Sequence, residues 1–409
     1  MEAHDWDLAT DALPEQTLDV FDGATYENKF GTVAIRREGG TYEITTFRTD
    51  HDYADFRRPH RVEFGTSLEA DLARRDFTVN AMAWGAAATD TANHLVDPFG
   101  GRVDTAARVL RAVGDPDRRF EEDALRMVRA VRLATTLGFE IEPATLAAIK
   151  RRAPLAEHLS GERIAAELTR LLAADQPSVG LRLLADTGLL EHVLPELAAQ
   201  RGVPQNKAPG EDLWDHTLRT VDAARRHPVV RLAALVHDVG KPSTHADGHF
   251  FGHETIGAEQ ARELLDRLHE PRVVVDRVAH LVRHHMFKYE PNWSDSAVRR
   301  FIGKVKPDAI DELLALREAD NIGSSVEPDA DGLDELRARV AAELETGPVL
   351  DRSKLAIDGN DLMRDLGLRQ GPELGRVLDA LLERVIDDPS LNEPPTLLLL
   401  ARELLRDDR

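Results

Sequence analysis

The chain has 409 residues, with 73 Asp and Glu against 52 Lys and Arg, a formal charge of −21 and no Cys. That length has room for two to four domains with a sizeable core; the lack of Cys excludes disulfides and thiolate metal sites, and no apolar run reaches the length of a membrane span. The acidic balance excludes an evenly basic surface for RNA, whose non-specific affinity comes from neutralised phosphates, but residues 102–170 carry about as many bases as acids, so a neutral-to-basic working face on an acidic body is expected.

Asp5-Trp6-Asp7 opens the chain, followed by Leu8-Ala9-Thr10. On an extended strand alternate side chains share a side, so Asp5 and Asp7 offer two carboxylates to one metal pair. Read alone, the doublet is an ordinary surface or turn pair. Residues 30–36 and 41–48 are strand-like runs, and Glu38-Gly39-Gly40 between them is a hairpin turn signal. Glu43 on the second run is a candidate third carboxylate. Residues 50–66 are polar and Arg-rich and read as a loop. Residues 74–83, Arg-Arg-Asp-Phe-Thr-Val-Asn-Ala-Met-Ala, come next, and the apolar stretch 78–84 either continues the sheet or opens a helix. Residues 1–95 thus read as mixed α/β.

From about 105 onward the pattern is helical, punctuated by Pro and Gly. Residues 118–132 read as one uninterrupted helix of strong helix formers. Leu125, Val128 and Val131 form its apolar stripe. Asp123, Arg126, Arg129 and Arg132 step by three along a neighbouring face, either as a solvated ion-paired surface or as a row of donors and one acceptor for a base edge or phosphate. Residues 200–210 mark a boundary, and a His-rich helical segment covers 211–325. A break at 327–332 precedes helices at 333–345 and 373–386, which flank the motif-like stretch 357–363.

Asp5-Trp6-Asp7, residues 74–83 and Glu122-Asp123-x-x-Arg126 resemble, in that order, three motifs of the class II tRNA nucleotidyltransferases, the family of CCA-adding enzymes and bacterial poly(A) polymerases. The resemblance covers nearly the whole chain, and the ten residues at 74–83 are its most specific part. It implies an α+β protein: an N-terminal polymerase β-like α/β nucleotidyltransferase head (1–104), then an all-helical neck and body (105–205), an HD-type metal-binding domain (206–326) and a tail (327–409). Asp5, Asp7 and Glu43 would hold Mg²⁺ for transfer to a 3′-hydroxyl. Arg75 would meet the triphosphate, and Asp76 and Asn80 the ribose hydroxyls. Asp123 and Arg126 would read the Watson–Crick edge of CTP or ATP, Arg126 also holding Asp123 in place, while Arg129 and Arg132 assist. Residues 97–101 and 160–164 look like the family's linking motifs, with structural roles. Family members also carry a Gly-Gly-x-x-Arg-Asp stretch ahead of the Asp-x-Asp. Only four residues precede Asp5, so the head is expected to lack its N-terminal portion and to bind triphosphate weakly.

In the His-rich segment, His216, His237-Asp238 and Asp320 resemble the HD phosphohydrolase pattern. These four would bind one divalent cation, and His253 with His284 or His285 would hold a second ion or a phosphate. Burying His237 and Asp238 in an apolar helix without partners is costly, which argues against a bland surface; a relic fold without metal is the alternative. The expected activity is CCA addition to the 3′ end of tRNA from CTP and ATP. The rivals are poly(A) synthesis and metal-dependent phosphoester hydrolysis with an incomplete head. The expected partners are tRNA, CTP and ATP, with no membrane, and the expected compartment is the cytoplasm.

Overall fold

Runs of Val, Ile, Thr and Tyr build a four-stranded sheet at the head of the chain. The computed structural model describes residues 7–28, 31–37, 40–54, 58–85, 94–205, 210–246 and 248–407. Strands β1 (Asp7–Thr10), β2 (Thr25–Asn28), β3 (Thr32–Arg37) and β4 (Gly40–Thr46) lie in the order β1-β4-β3-β2. β1 is parallel to β4, and the other pairs are antiparallel. Helix α1 (Pro14–Val20) lies between β1 and β2 in sequence. Val33, Ala34 and Ile35 bury the centre of the sheet. The expected turn residues Glu38 and Gly39 lie outside the described residues, and Arg37 pairs with Gly40 across them.

Residues 50–66 are not a loop. β5 (Arg48–Ala54) and β6 (Arg58–Phe64) form an antiparallel ribbon of their own. A two-stranded ribbon is held by its cross-strand backbone bonds, with its outer edges open to water, and does not need an apolar stripe, so periodicity does not announce it. Residues 78–84 neither extend the sheet nor open a helix. A 3₁₀ turn at Thr78–Asn80 leads into β7 (Ala83–Gly85), which pairs with β8 (His94–Val96) in a separate ribbon. Between β6 and that turn lies α2 (Leu68–Ala73), capped by Ser67, whose hydroxyl accepts from the Ala70 amide.

Residues 97–101 act as a helix cap. The Asp97 carboxylate accepts from the Gly101 and Arg102 amides at 2.7 and 3.0 Å, starting α3 (Gly101–Ala107). β9 (Val109–Leu110) and β10 (Glu140–Ile141) form a short parallel pair within the region expected to be helical. The helix expected over 118–132 is two helices, α4 (Pro116–Glu122) and α5 (Leu125–Leu137). Asp123 between them is extended, at φ −152° and ψ 105°, and its carboxylate accepts from the Leu125 amide. An Asp that bonds the backbone two residues on competes with the helical ladder, and propensity sums do not register that. α6 (Pro143–Arg152), α7 (Gly161–Leu172) and α8 (Pro177–Asp186) follow; α5 packs on α7 and α8, and its Met127, Val128 and Val131 are buried.

The chain divides into two compact units, residues 1–199 with 267–270, and 200–266 with 271–409. The second is almost wholly helical: α9 (Leu213–Ala223), α10 (Pro228–Val236), α11 (His253–Arg267), α12 (Arg272–His284), α13 (Asp295–Val305), α14 (Ile310–Gly323), α15 (Leu333–Glu345), α16 (Gly359–Leu366), α17 (Pro372–Asp387) and α18 (Pro394–Asp407). α9 packs on α10 and α14, and α10 on α12. A small hairpin, His245–Ala246 with His249–Phe250, interrupts the His-rich helices. The stretch 357–363 proves to be a capping box: Asp358 accepts from the amides of Asn360 and Asp361, and Asp361 accepts from the Asp358 amide. Leu362, Leu381 and Leu397 centre the core of these last helices.

Candidate active site and candidate metal centre

In the first unit, parallel pairing sets Asp7 directly opposite Glu43. Residues in register on neighbouring strands project from the same face of a sheet, so these two carboxylates share one side. Both are exposed, whereas Ile44 and Thr46 turn towards the interior. Asp5 lies outside the described residues. A cavity of about 1340 Å³ is lined by Asp7, Arg75, Asp76, Asn80, Asp123, Arg126, Arg129 and Arg132. Residues more than a hundred positions apart therefore face one space; Glu43 is not among those lining it.

Most charged groups of this wall are already paired. Arg129 donates to the Asp76 carboxylate through two nitrogens, at 2.9 and 2.7 Å, and Asn80 Nδ2 donates to the other Asp76 oxygen at 3.1 Å. Burial pushes the Asp76 carboxyl up, but the Arg129 charge and the bonds from Asn80, Arg129 and the Phe77 amide outweigh it and leave it below its ordinary value. Arg132 donates to Glu167 at 2.7 Å. Arg75 approaches Asp71 at 3.7 Å, and Arg74 holds the same carboxylate at 2.7 Å.

Two sequence expectations change. Asp123 is not on a helix face in line with the arginines, because it sits at the α4–α5 break. Arg126 does not hold it either: the Arg126 side chain is buried and donates to Glu122 and to the carbonyls of Arg119 and Arg74. Asp123 is held instead by Arg163 from α7, at 2.7 Å. Glu167 and Asp71 escaped the motif reading, and Arg163 entered it only as part of the linking motif at 160–164, with a structural role. Glu167 did leave a signal, since it lies three residues from Ile164 and one from Leu168 and so falls on the apolar face of α7. Asp71 left only its spacing to Arg74 and Arg75.

In the second unit the His-rich motifs converge. His216 comes from α9, His237 and Asp238 follow α10, His253 opens α11, His285 follows α12, and Asp320 lies on α14; all six are buried. His237, His253 and His285 each set Nδ1 against the carbonyl three residues back, at 2.8, 2.8 and 2.7 Å. This fixes Nδ1–H as the donor and leaves Nε2 as the free lone pair pointing inward. His216 Nε2 lies 3.1 Å from His237 Nε2, 3.4 Å from Asp238 Oδ2 and 3.2 Å from Asp320 Oδ1. Asp238 Oδ1 faces His253 Nε2 at 3.4 Å and His285 Nε2 at 3.7 Å.

These atoms form two groups with metal-ligand spacing, His216–His237–Asp238 and Asp238–His253–His285. Asp238 Oδ1, His253 Nε2 and His285 Nε2 are buried with no hydrogen-bond partner, and uncharged rings cannot supply what they lack, so a cation fits the donor set. Lys241 donates to Asp238 Oδ2 at 2.5 Å, and Arg317 to Asp320 at 3.0 Å. Of the two candidates at 284–285 the structure brings in His285. His284 packs against His280, and burial together with the nearby charges of His280, Lys304 and Arg283 lowers its pKa to about 4.

Three families match the chain in turn: the Poly A polymerase head domain over residues 1–111, the probable RNA and SrmB-binding site of polymerase A over 138–201, and the HD domain over 213–324. Fold and site thus define a nucleotidyltransferase head joined to an HD domain. A CCA-adding enzyme of Geobacillus thermodenitrificans is 36% identical over 391 residues, covering 95% of this chain and 86% of that protein. Another, of Limosilactobacillus fermentum, is 32% identical over 404 residues, covering 98% and 89%. The crystal structure of the Bacillus stearothermophilus CCA-adding enzyme in complex with CTP is 30% identical, with a TM-score of 0.73, covering all of this chain and 90% of that one. The chain belongs to the CCA-adding enzyme family. Among the described residues, no helix is long and apolar enough to cross a membrane.

Proposed function

We infer that the chain adds CCA to the 3′ end of tRNA from CTP and ATP by metal-dependent nucleotidyl transfer. The observation that carries this is the single cavity to which Asp7, Arg75, Asp76, Asn80, Asp123, Arg126, Arg129 and Arg132 all contribute. Asp7 and Glu43, with Asp5, are the carboxylates for Mg²⁺, a cation that prefers carboxylate oxygens and phosphates. When bound, it neutralises charge on the reacting phosphate. Arg75 takes the triphosphate. Asp76 and Asn80 take the ribose hydroxyls, which separate a ribonucleotide from a deoxyribonucleotide. Asp123 accepts from the exocyclic amine that cytosine and adenine share; Arg126 shapes the strand-like turn beside it and offers its remaining donors. Arg129 and Arg132 meet the nucleotide away from the base edge.

The work divides along the chain: 1–104 as catalytic head, 105–205 as neck and body, 206–326 as HD domain, 327–409 as tail. The cytoplasm is the compartment this reading implies. The test is incorporation of labelled CTP and then ATP into tRNA lacking its terminus. Asp7→Ala is expected to abolish both additions while tRNA affinity stays within about twofold; residual rates within tenfold of the parent would remove Asp7 from the metal pair.

A second activity is supported by the orphaned buried atoms of the His–Asp cluster. His216, His237, Asp238 and Asp320 hold one divalent cation, and His253 and His285 hold a second beside Asp238, for hydrolysis of a phosphoester. The assay is phosphate release from a 2′,3′-cyclic nucleotide with Mg²⁺, Mn²⁺, Co²⁺ or Ni²⁺. His237→Ala or Asp238→Ala should remove it and spare nucleotide addition. No release with any of the four ions would leave the cluster as structure only.

A further inference from the structure

Trp84 is 71% exposed, an unusual position for the largest apolar side chain. It sits on β7, where the cross-strand pair Ala83 and Val96 turns to the core of Leu72, Ala81 and Val113, so the ribbon that carries the indole is anchored from beneath. Trp84 lines the same cavity as Asp7, Asp76, Asp123 and Arg129. That cavity, about 1340 Å³, is larger than the roughly 300–1,000 Å³ that encloses one small ligand. Its other named groups are carboxylates, amides and guanidiniums, which suit phosphates, sugars and base edges. Among the described lining residues Trp84 is the largest exposed aromatic: Phe47 is partly buried, and the exposed His94 is a smaller ring.

We propose that Trp84 is the platform on which the terminal base of the RNA acceptor stacks, placing its 3′-hydroxyl for the reaction. The proposal rests on the nucleotidyl-transfer reading above. The incoming base and the acceptor base make opposite demands. The incoming base has to be recognised, which hydrogen bonds from Asp123 and its neighbours do. The acceptor end changes identity with each nucleotide added, so the contact that holds it has to tolerate any base. Stacking does so, because every base has a π-face, and is worth about 1–3 kcal/mol per base. An exposed indole stabilises the folded protein little, so its chief gain comes when a base covers it.

The experiment compares the parent with Trp84→Ala and Trp84→Phe. The KM for tRNA lacking its terminus should rise about 10- to 100-fold in Trp84→Ala, as expected for loss of one stacked base. The KM for CTP should stay within twofold, and Trp84→Phe should recover most of the loss. An unchanged melting temperature separates this from misfolding. RNA binding is also read without turnover, as quenching of the part of the tryptophan emission that Trp84→Phe removes. A tRNA KM within twofold of the parent in Trp84→Ala overturns the proposal, and so does a rise confined to CTP and ATP, which would move the indole to the incoming base. A parent that adds no nucleotide would overturn the transfer reading, while persistent quenching by RNA would still support the stacking.

Discussion

At Asp123 one carboxylate serves two partners: it accepts from the Leu125 amide through one oxygen and from Arg163 through the other. Uracil and guanine present a carbonyl where cytosine and adenine present an amine, so a fixed carboxylate both attracts the right bases and repels the wrong ones. Asp123→Ala should therefore lose selectivity for CTP and ATP over UTP and GTP by about ten- to a hundred-fold, the worth of one charge-assisted hydrogen bond, more than it loses overall rate. Because Arg163 is the side chain that holds Asp123, Arg163→Ala should show the same loss in weaker form. The measurement is kcat/KM for the four triphosphates; an equal slowing of all four would return Asp123 to a purely structural role. Asp76 makes a different prediction. Its carboxyl is held below the ordinary Asp value in the folded protein, so the stability it contributes is complete above that ordinary value and is lost as pH falls through the folded pKa. Asp76→Asn should cost about 1–3 kcal/mol near neutrality. Urea midpoints of parent and variant should converge in acid, and a gap that persists there would mean the pairing with Arg129 is not its source.

At the level of elements, backbone contacts hold both candidate sites in shape. A Cβ on Gly101 would lie 2.1 Å from the Thr78 carbonyl oxygen, so α3 can meet the 78–80 turn only through glycine. Gly101→Ala should push that turn, and Asn80 with it, away from Asp76, costing about 1–3 kcal/mol as overpacking does and raising the KM for nucleotides. A Cβ on Gly240 would lie 2.4 Å from the His253 carbonyl oxygen and 2.6 Å from the Gly257 amide. Gly240→Ala should pry α11 from the His237–Asp238 turn. A divalent cation that raises the parent's melting temperature should then raise the variant's less, whereas an equal shift would show that α11 does not contribute a ligand. The elements also show what was legible in the chain. The two central strands of the sheet and the residues of the His–Asp cluster stood out because β-branched runs and His-Asp in an apolar helix are strong local signals, whereas the edge strand Thr25–Asn28 was not read from the sequence. The β5–β6 ribbon and the break at Asp123 did not stand out, because neither depends on an apolar period. The partner of Asp123 was illegible for another reason: Arg163 lies forty residues away, and only the packing of α5 on α7 brings it near.

For the whole molecule the dominating quantity is the charge of −21. Like charges repel over the screening length, about 10 Å at 0.1 M salt and about 3 Å at 1 M, so added KCl should raise the melting temperature. Binding of tRNA should respond in the opposite sense, weakening as salt rises, since each phosphate neutralised by an arginine releases a counterion. Opposite slopes for stability and for RNA affinity are the expected pair of results. Parallel slopes would mean that the acidic surface, not the arginine-lined cavity, governs encounter with RNA.

Asp238 turns one oxygen to His216 and His237 and the other to His253 and His285, and two half-sites that share a carboxylate cannot fill independently. The negative charge that welcomes one dication is largely spent before the next arrives, and dications in such pairs sit only about 3.5–4 Å apart. Uptake should therefore be anticooperative, with a tight step and a weak one in a calorimetric titration. Under scarcity the cluster would stall half-loaded, so the phosphoester hydrolysis proposed for it would answer to the supply of free divalent ions, while nucleotide addition, proposed to draw on Asp5, Asp7 and Glu43, would not follow the same curve.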